Sequence, residues 1–569
     1  MKRVFGYIGE YKWRLTGGIA MKTAGTLAEL VLPLILAYMI DTVAPTRSVA
    51  ALVWWGVAMV GVSVAAYLGN VFANRNASRI GRDVTERLRG DLFTKTLSLS
   101  FRQADEVTMP SLVSRLSSDT YNVHTMLVMT QRMGIRAPLM LIGGVAMTFT
   151  LDPVLALVLL AVVPFLTVFV VFVSSRGVKL YTALQRAVDG MVRKVRDDHT
   201  GIRVIKALSK TQYESDSFRA LNETVSLRER KAGVTMDITN PVLNFFLNLG
   251  MTAVIFVGAY RVAGGHSGVG ELIAFTSYFS IILNAVIAVS RIFVMLTKGT
   301  ASAARIEEVL DLPADLLPVP CEAEEDEAFI RFENVSFSYG GAPVLEDVSF
   351  SVKKGETLGI IGGTGSGKST LVSLLLRFYD ADGGRVLVGG KDVRGYEPSA
   401  LRKKFGVVFQ SDFLMAATVR ENIDFERNVP PENIPKAAEC ACAEGFVSAL
   451  EEGYESRLAV RGANFSGGQK QRLLIARALA GDPEILVLDD SSSALDYKTD
   501  ALVRQAISKQ YPNTTVLMVA QRISSVRGAD KILVLDGGRA AGFGSDEQLM
   551  QTCEAYRRIY ESQKGAENE

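Results

Sequence analysis

A glycine-rich run in the second half of the chain has the composition and spacing of a phosphate-binding loop. It follows the apolar segment 357–361 and precedes the apolar segment 371–378. The residues of the run are Gly362, Gly363, Thr364, Gly365, Ser366, Gly367, Lys368, Ser369 and Thr370. In a strand–loop–helix arrangement such a run turns backbone N–H groups onto phosphate oxygens, and the helix N-terminus adds partial positive charge. We expect Lys368 to reach the β- and γ-phosphates of ATP and the Ser369 hydroxyl to ligate Mg²⁺.

Two further segments end at side chains suited to the metal and the attacking water. Asp489 and Asp490 follow the apolar run 485–488, and Gln521 follows the run 515–520. Asp489 is the expected Mg²⁺-supporting carboxylate. Asp490 stands where a hydrolytic site of this kind carries Glu, a general base worth about 10²–10⁴ in rate, and its carboxylate falls back by roughly 1.5 Å. Gln521 replaces an expected His and cannot hold or relay a proton, so we predict a site that binds ATP well and hydrolyses it poorly.

A third motif narrows the class of ATP-binding protein to which the chain can belong. Ser466, Gly467, Gly468 and Gln469 follow Phe465 and precede a helix predicted over 470–479. The run resembles the Leu-Ser-Gly-Gly-Gln signature of the ATP-binding cassette (ABC) family, with Phe465 in place of Leu. The resemblance implies that these residues bind the γ-phosphate of ATP held by an opposite cassette, across a dimer interface.

Other family motifs occur in the same order along the chain. Tyr339 matches the aromatic that stacks on adenine, and Gln410 matches the residue that links Mg²⁺ and the attacking water to the membrane domain. The run 493–496 (Ser-Ala-Leu-Asp) matches the loop that crosses to the partner. Taken alone, Tyr339 and Gln410 are equally compatible with ordinary packing roles. The ordered series favours the functional interpretation.

The altered residues and the intact signature together predict an asymmetric assembly. The chain resembles the degenerate-site subunit of heterodimeric bacterial ABC multidrug exporters, which implies a second ABC half-transporter with competent catalytic residues. Two alternatives stay open: a self-sufficient homodimeric exporter that uses Asp490 slowly, and a non-transporting ATP-binding regulator of another membrane protein.

The first half of the chain supplies the membrane domain of the predicted fold class. Hydrophobic residues make up 48% of the sequence, the mean hydropathy is +0.21, and the apolar residues concentrate before about residue 300. Because a membrane-spanning helix needs about 20 apolar residues, we predict six spans, at 17–40, 51–72, 132–151, 153–175, 241–262 and 269–296. The expected architecture is a helical ABC exporter domain of six transmembrane helices followed by an α/β P-loop cassette.

The distribution of basic residues predicts the orientation. The long connections 73–130 and 175–240 are rich in Arg and Lys, whereas the alternate connections are short and carry few. The positive-inside rule therefore places both termini and the cassette in the cytosol, with the chain in the cytoplasmic membrane. By resemblance to the family, short coupling helices are expected at about 110–117 and 201–209.

Composition also predicts the domain limits. Three prolines and a run of acidic residues mark a linker. We therefore expect a transmembrane domain over 1–312 with cytosolic helix extensions, a linker over 313–328 and a cassette over 329–569. The four cysteines, expected to be reduced thiols, lack the spacing of a metal site, and a net charge of +2 gives no indication of nucleic acid binding.

Ionisable residues inside predicted spans are candidates for the substrate path, because such residues are costly in a bilayer and are often functional. They are Lys22, Glu29, Arg136 and Arg291. We expect Glu29 to attract cationic amphipathic small molecules. Arg136 and Arg291 are also compatible with pairing between helices or with snorkelling to the interface. The sequence does not identify the substrate.

Overall fold

The computed structural model describes the backbone of residues 2–322, 324, 327–491 and 494–566. It forms two compact units. The first contains Met1–Leu97 and Val107–Leu312, and the second contains Ser98–Glu106 and Pro313–Glu569.

The chain before residue 313 is helical. Its α-helices are α1 (Lys2–Gly9), α2 (Lys12–Tyr38), α3 (Val49–Ser98), α4 (Phe101–Val107), α5 (Met109–Ser114), α6 (Thr120–Arg132), α7 (Arg136–Leu151), α8 (Pro153–Thr200), α9 (Ile202–Ala207), α10 (Thr211–Asp237), α11 (Thr239–Ala263) and α12 (Val269–Leu310). Short π-helical turns at Met39–Val43 and Arg115–Asp119 extend α2 and precede α6.

Carboxylates fix the starts of two long helices. Asp152 accepts hydrogen bonds from the Val154 and Leu155 N–H groups (2.8 and 3.4 Å) at the start of α8. Asp41 accepts from the Gly270 and Glu271 N–H groups (2.6 and 2.8 Å) at the start of α12. Since the first N–H groups of a helix lack intrahelical partners, each such cap stabilises a helix by about 1 kcal/mol.

Five helical segments among the described residues are long and apolar enough to cross a membrane. They are Lys12–Thr46, Val49–Ser98, Met109–Leu151, Asn244–Ala263 and Val269–Leu310, and each contains most or all of a predicted span. The remaining predicted span, 153–175, lies within the continuous helix α8, in which several side chains fall outside the described residues.

The second unit contains two sheets. The antiparallel sheet has the order β2 (Leu345–Val352), β1 (Ile330–Phe337), β4 (Gly383–Val388), β5 (Lys391–Asp392). The larger sheet has the order β10 (Arg539–Gly544), β9 (Lys531–Asp536), β3 (Thr357–Gly362), β8 (Thr515–Ala520), β7 (Ile485–Asp489), β6 (Phe405–Val408). Its five strands from β9 to β6 are parallel, and β10 is antiparallel to β9.

Helices cover the larger sheet on both faces, as parallel sheets require. They are α13 (Lys368–Leu375), α14 (Pro398–Arg402), α15 (Val419–Asp424), α16 (Asn433–Cys440), α17 (Glu444–Val447), α18 (Gly467–Ala480), α19 (Tyr497–Gln510), α20 (Ile523–Val526), α21 (Asp546–Thr552) and α22 (Glu554–Ala566). One core lies between the larger sheet, α13 and the antiparallel sheet, and another lies between β6–β8 and α15–α19. Strand β7 is buried at every position, so it reads as a continuous apolar run rather than an alternating one.

The second unit includes a short piece of the first half of the chain. The Phe101 ring stacks on the Phe378 ring with centroids 4.3 Å apart, and the Tyr379 hydroxyl donates to Asp105 at 2.7 Å. The Gln103 amide donates to the Pro313 carbonyl at 2.8 Å. Residues 98–106 therefore belong with the cassette unit. The two segments expected as coupling helices overlap the short helices α5 and α9, and their coupling role stays a prediction.

Candidate nucleotide-binding site

The predicted site residues follow four neighbouring parallel strands. The glycine-rich loop follows β3, Gln521 follows β8, Asp489 ends β7 with Asp490 next, and Gln410 comes two residues after β6. Because the carboxyl ends of parallel strands meet at one edge of a sheet, the topology brings these side chains together. They line a cleft of about 200 Å³.

The loop after β3 has the backbone conformation that its glycines permit. Gly365 and Gly367 have φ values of +79° and +95°, which side chains with a Cβ rarely adopt. Helix α13 begins at Lys368, so the last loop residues form its first turn. The Lys368 ammonium donates to the carbonyls of Gly362 and Gly363 at 2.9 and 2.8 Å, which holds the side chain along the loop.

Replacing Gly367 by Ala is expected to destabilise the cassette. A Cβ at this position would lie 2.6 Å from Leu345 Cδ2 and 3.1 Å from the Val344 carbonyl oxygen, and the positive φ adds about 1–2 kcal/mol of strain. Thermal unfolding of the purified variant should show a lower cassette Tm. Gly363→Ala is the matched control, because a Cβ there meets nothing within 4 Å; equal Tm values for the two variants would contradict the loop geometry.

The pKa values of two charged groups inside the cleft are shifted from their ordinary values. Burial lowers the pKa of Lys368, although the Asp489 and Asp490 carboxylates oppose that shift. Burial raises the pKa of Asp489, and a hydrogen bond from the Ser369 hydroxyl opposes this shift. Asp489 is only 4% exposed. A phosphate beside Lys368 and a divalent cation beside Asp489 would each favour the charged form of the residue it contacts.

Two side-chain amides hold the carboxylate of Asp490. Its Oδ2 accepts from Gln521 Nε2 at 3.1 Å and from Gln410 Nε2 at 3.3 Å. The residue has a φ of 51°, a left-handed conformation in which Asp is enriched among non-glycine residues, and its N–H donates to the Val519 carbonyl at 2.9 Å. The two substituted positions and Gln410 thus form one hydrogen-bonded group.

Tyr339 lies beside the cleft rather than in it. Its ring packs edge-on against Phe337 and Tyr379, with centroids 4.9 and 5.2 Å away. The three rings line a separate cavity of about 340 Å³. The Tyr339 hydroxyl donates to Thr370 Oγ1 at 3.3 Å, which joins this cavity to the end of the phosphate loop. The ring is 53% exposed and available for stacking.

The signature residues do not line the cleft of this chain. Ser466 caps α18: its Oγ accepts from the Gln469 N–H at 3.3 Å, and its own N–H donates to Gln469 Oε1 at 2.9 Å. Helix α18 begins at Gly467, three residues earlier than predicted, and Ser466 and Gly467 are exposed. Such a helix N-terminus favours an anion supplied from outside.

The loop after β7 leads from the site to the signature. A Cβ on Gly468 would lie 3.3 Å from the Ala494 carbonyl oxygen, and Asp496 caps α19 by accepting from the Thr499 N–H at 2.9 Å. Ser493, the first residue of the predicted crossing loop, lies outside the described residues.

Sequence reasoning missed three residues that shape the site. Val344 lines the phosphate cleft, and no sequence signal distinguishes this apolar residue before β2. Tyr379 packs against Tyr339, and its position four residues after α13, next to Phe378, could have drawn attention. Gln563 of α22 donates to the Gln521 carbonyl at 2.8 Å and accepts from the Ile523 N–H at 2.8 Å, so the last helix supports the Gln521 loop.

The residues present fit ATP with Mg²⁺. Within the part of the chain that the structure describes, the buried Ser366 hydroxyl in the loop has no hydrogen-bond partner, and a phosphate oxygen would supply one. Ser369 and Asp489 offer oxygen ligands, which Mg²⁺ prefers together with phosphate and water. The bound cation would neutralise phosphate charge, and Lys368 would orient the phosphates.

The fold and the site define a membrane-embedded helical protein fused to a P-loop nucleotide-binding cassette. Residues 15–286 match the family model described as ABC transporter transmembrane region, and residues 345–493 match the one described as ABC transporter. An uncharacterised ABC transporter ATP-binding protein of Mycobacterium tuberculosis is 35% identical over 568 residues, covering 98% of this chain and 97% of the relative. An uncharacterised ABC transporter ATP-binding protein of Bacillus subtilis is 33% identical over 572 residues, covering 100% of this chain and 99% of the relative.

This chain belongs to the ABC transporter family. Its fold is similar to that of a bacterial Atm1-family ABC exporter solved with ATP bound, with a TM-score of 0.82 and 24% identity over 97% of this chain and 99% of the other. The predicted fold class, an ABC exporter membrane domain followed by an ATP-binding cassette, is confirmed. The protein is an integral membrane protein whose activity is ATP-driven transport.

Proposed function

We propose that this chain is one half of a heterodimeric exporter, in which it binds ATP at a weakly hydrolysing site and completes the competent site of a partner. The observation that carries the proposal is the group formed by Asp490, Gln410 and Gln521. One oxygen of the shortened carboxylate is held by two side-chain amides, and the carboxylate lacks the reach of the Glu that would serve as general base.

The rest of the site supports retained ATP binding. The phosphate loop, Lys368, Ser369 and Asp489 converge on one cleft, and Tyr339 is positioned beside it to stack on adenine. Mg²⁺ is assigned to Ser369, Asp489 and Gln410. The structurally similar exporter was solved with ATP bound, which supports the same ligand here.

The signature supports the role toward a partner. Ser466, Gly467, Gly468 and Gln469 form the capped start of α18 and line neither cavity of this chain's own site. A second ABC half-transporter, apposed in the opposite orientation, would place its γ-phosphate at this helix N-terminus. With basic connections facing inward, the cassettes lie in the cytosol and the substrate moves outward across the cytoplasmic membrane.

Assembly tests the proposal directly. The chain purified alone in lipid is expected to hydrolyse ATP about 10²-fold or more slowly than the same chain co-purified with an ABC half that carries Glu and His at the positions of Asp490 and Gln521. Size-exclusion chromatography with light scattering gives the stoichiometry in parallel. Comparable turnover by the single-chain preparation would show that the chain is a self-sufficient homodimer.

A further inference from the structure

The membrane unit contains a cavity of about 440 Å³ between α2, α7 and α12. Apolar side chains such as Met140 and Ile281 form much of its wall, and Glu29, Arg136 and Arg291 supply its charges. The cavity therefore combines an apolar lining with a few ionised groups, the composition of a site for an amphipathic molecule.

One oxygen of the single carboxylate in this cavity is engaged, and the other, Glu29 Oε2, is buried without a hydrogen-bond partner among the described residues. Arg136 Nη2 lies 2.7 Å from Glu29 Oε1, so the two opposite charges compensate each other inside the membrane unit. Arg291 makes no ion pair among the described residues and is exposed. The cavity therefore has an uncompensated positive charge, which is opposite to the cation-attracting role expected for Glu29 from the sequence.

Two further cationic side chains, Lys22 and Arg132, lie in the same unit as Arg136 and Arg291. Lys22 is 4% exposed, and its ammonium donates to the side-chain oxygens of Asn70 and Asn74 at 2.8 and 3.1 Å. Arg132 donates to the Asn74 carbonyl at 3.3 Å and to the Ser78 hydroxyl. In the described part of the unit, amide, hydroxyl and carbonyl oxygens rather than carboxylates accept from these two cations.

A second cavity of the unit is basic. It has a volume of about 440 Å³ and is lined by Val71, Asn74, Arg75, Ser78, Arg79 and Arg132. Its lining contains three guanidinium groups and no carboxylate. Asn74 accepts from both Lys22 and Arg132, so this basic cavity adjoins the Lys22 side chain.

The helices fix the order of these groups along the helix axes. At a rise of about 1.5 Å per residue, Arg291 lies about 33 Å from the start of α12, whereas Ile281 lies about 18 Å from it. Met140 lies about 17 Å before the end of α7 on the same scale. An acidic group at Arg291 would therefore leave an apolar body extending toward Ile281 and Met140.

We propose that this cavity binds an amphipathic anion, with a phosphate or carboxylate group beside Arg291 and an apolar body against Met140 and Ile281. The inference rests on the proposed transport function and specifies its substrate class. Arg291 lines this cavity without a carboxylate partner among the described residues, and the anionic group of a bound ligand would supply its counter-charge.

Two probes with the same dodecyl tail and opposite headgroup charges test whether the cavity prefers anions to cations. Dodecyl phosphate and dodecyltrimethylammonium, each below its micelle concentration, are compared for binding to the complex in nanodiscs by thermal shift and for ATP-dependent uptake into inverted vesicles. We expect the anion to bind at least about 10-fold more tightly, which corresponds to about 1.4 kcal/mol. Tighter binding of the cation would overturn the proposal and leave the transport function intact.

Variants of the charged residues localise the effect. Arg291→Gln is expected to weaken anion binding about 10-fold, Arg291→Lys should retain most of it, and Arg186→Gln is the matched control at an exposed site on α8. Glu29→Gln should retain or strengthen anion binding, because it releases the charge of Arg136. If Glu29→Gln abolishes binding while Arg291→Gln does not, the assignment is wrong. Anion binding without ATP-dependent uptake of either probe would instead contradict the proposed export.

Discussion

A complex that carries Gly467→Asp in this chain is expected to lose at least about 100-fold of its ATP hydrolysis, although no catalytic group of the partner has changed. Removing one preorganised donor from a site of developing negative charge typically costs 10²–10³ in rate. Gly467→Asp keeps the backbone N–H but places a carboxylate at the N-terminus of α18, where we propose that the partner's γ-phosphate binds, so charge repulsion cancels stabilisation of this size.

The space around Gly467 allows a loss of activity in this variant to be attributed to the added charge. A Cβ on Gly467 would come no closer than 4.0 Å to Ala494 Cβ, and the position is exposed, so we expect the variant chain to fold. Gly445→Asp is the matched control, because that glycine is exposed and a Cβ there meets nothing within 4 Å. Steady-state ATPase of the two variant complexes in lipid is the measurement. Near-normal turnover with Gly467→Asp would disprove the assigned role of the signature.

The second large effect is an asymmetry between the two sites. Removing the partner's catalytic Glu should nearly silence the complex, by about 10²–10⁴, whereas Asp490→Ala in this chain should leave most of the turnover. The reason is geometric: Asp490 is one methylene shorter than Glu, and its Oδ2 accepts from Gln410 and Gln521. Nucleotide trapped in this chain's site should be recovered mainly as unhydrolysed ATP.

A gain-of-function variant tests the same asymmetry between the two sites in the opposite direction. Restoring Glu and His together, as Asp490→Glu with Gln521→His, lengthens the carboxylate and replaces one of the two amides by an imidazole. In a complex whose partner Glu has been removed, this double variant should recover measurable hydrolysis. If Asp490→Ala alone removes activity as completely as loss of the partner's Glu, then Asp490 is a working base and the asymmetry does not exist.

The nucleotide site was predictable because its residues are tied to strand ends. Each motif follows a short apolar run, and the parallel order of β3, β8, β7 and β6 forces the runs to end together. Helix starts were less predictable: α13 and α18 begin at Lys368 and Gly467, inside the motifs and before the apolar residues from which the helices were predicted.

Contacts between distant segments could not be predicted. The contact of Phe101 with Phe378 has no local signature, so the inclusion of residues 98–106 in the cassette unit was not predicted. The pairing of Glu29 with Arg136 was one of several possibilities, because helical periodicity gives the face of a residue but not its neighbour. Likewise, the sequence identified Asp490 and Gln521 as substituted but not that they are hydrogen-bonded to each other.

The inclusion of residues 98–106 in the cassette unit has a consequence for biosynthesis. Asp105 and its partner Tyr379 are separated by 274 residues, so at about 5–20 residues per second the ribosome needs roughly 14–55 s to supply the second after the first. During that interval Phe101 and Asp105 have been synthesised without the surface they will cover. The cassette unit is almost contiguous in the chain, yet its fold is complete only when it contacts a segment that was synthesised long before it. We expect chaperones to bind a nascent chain whose synthesis stops during this interval.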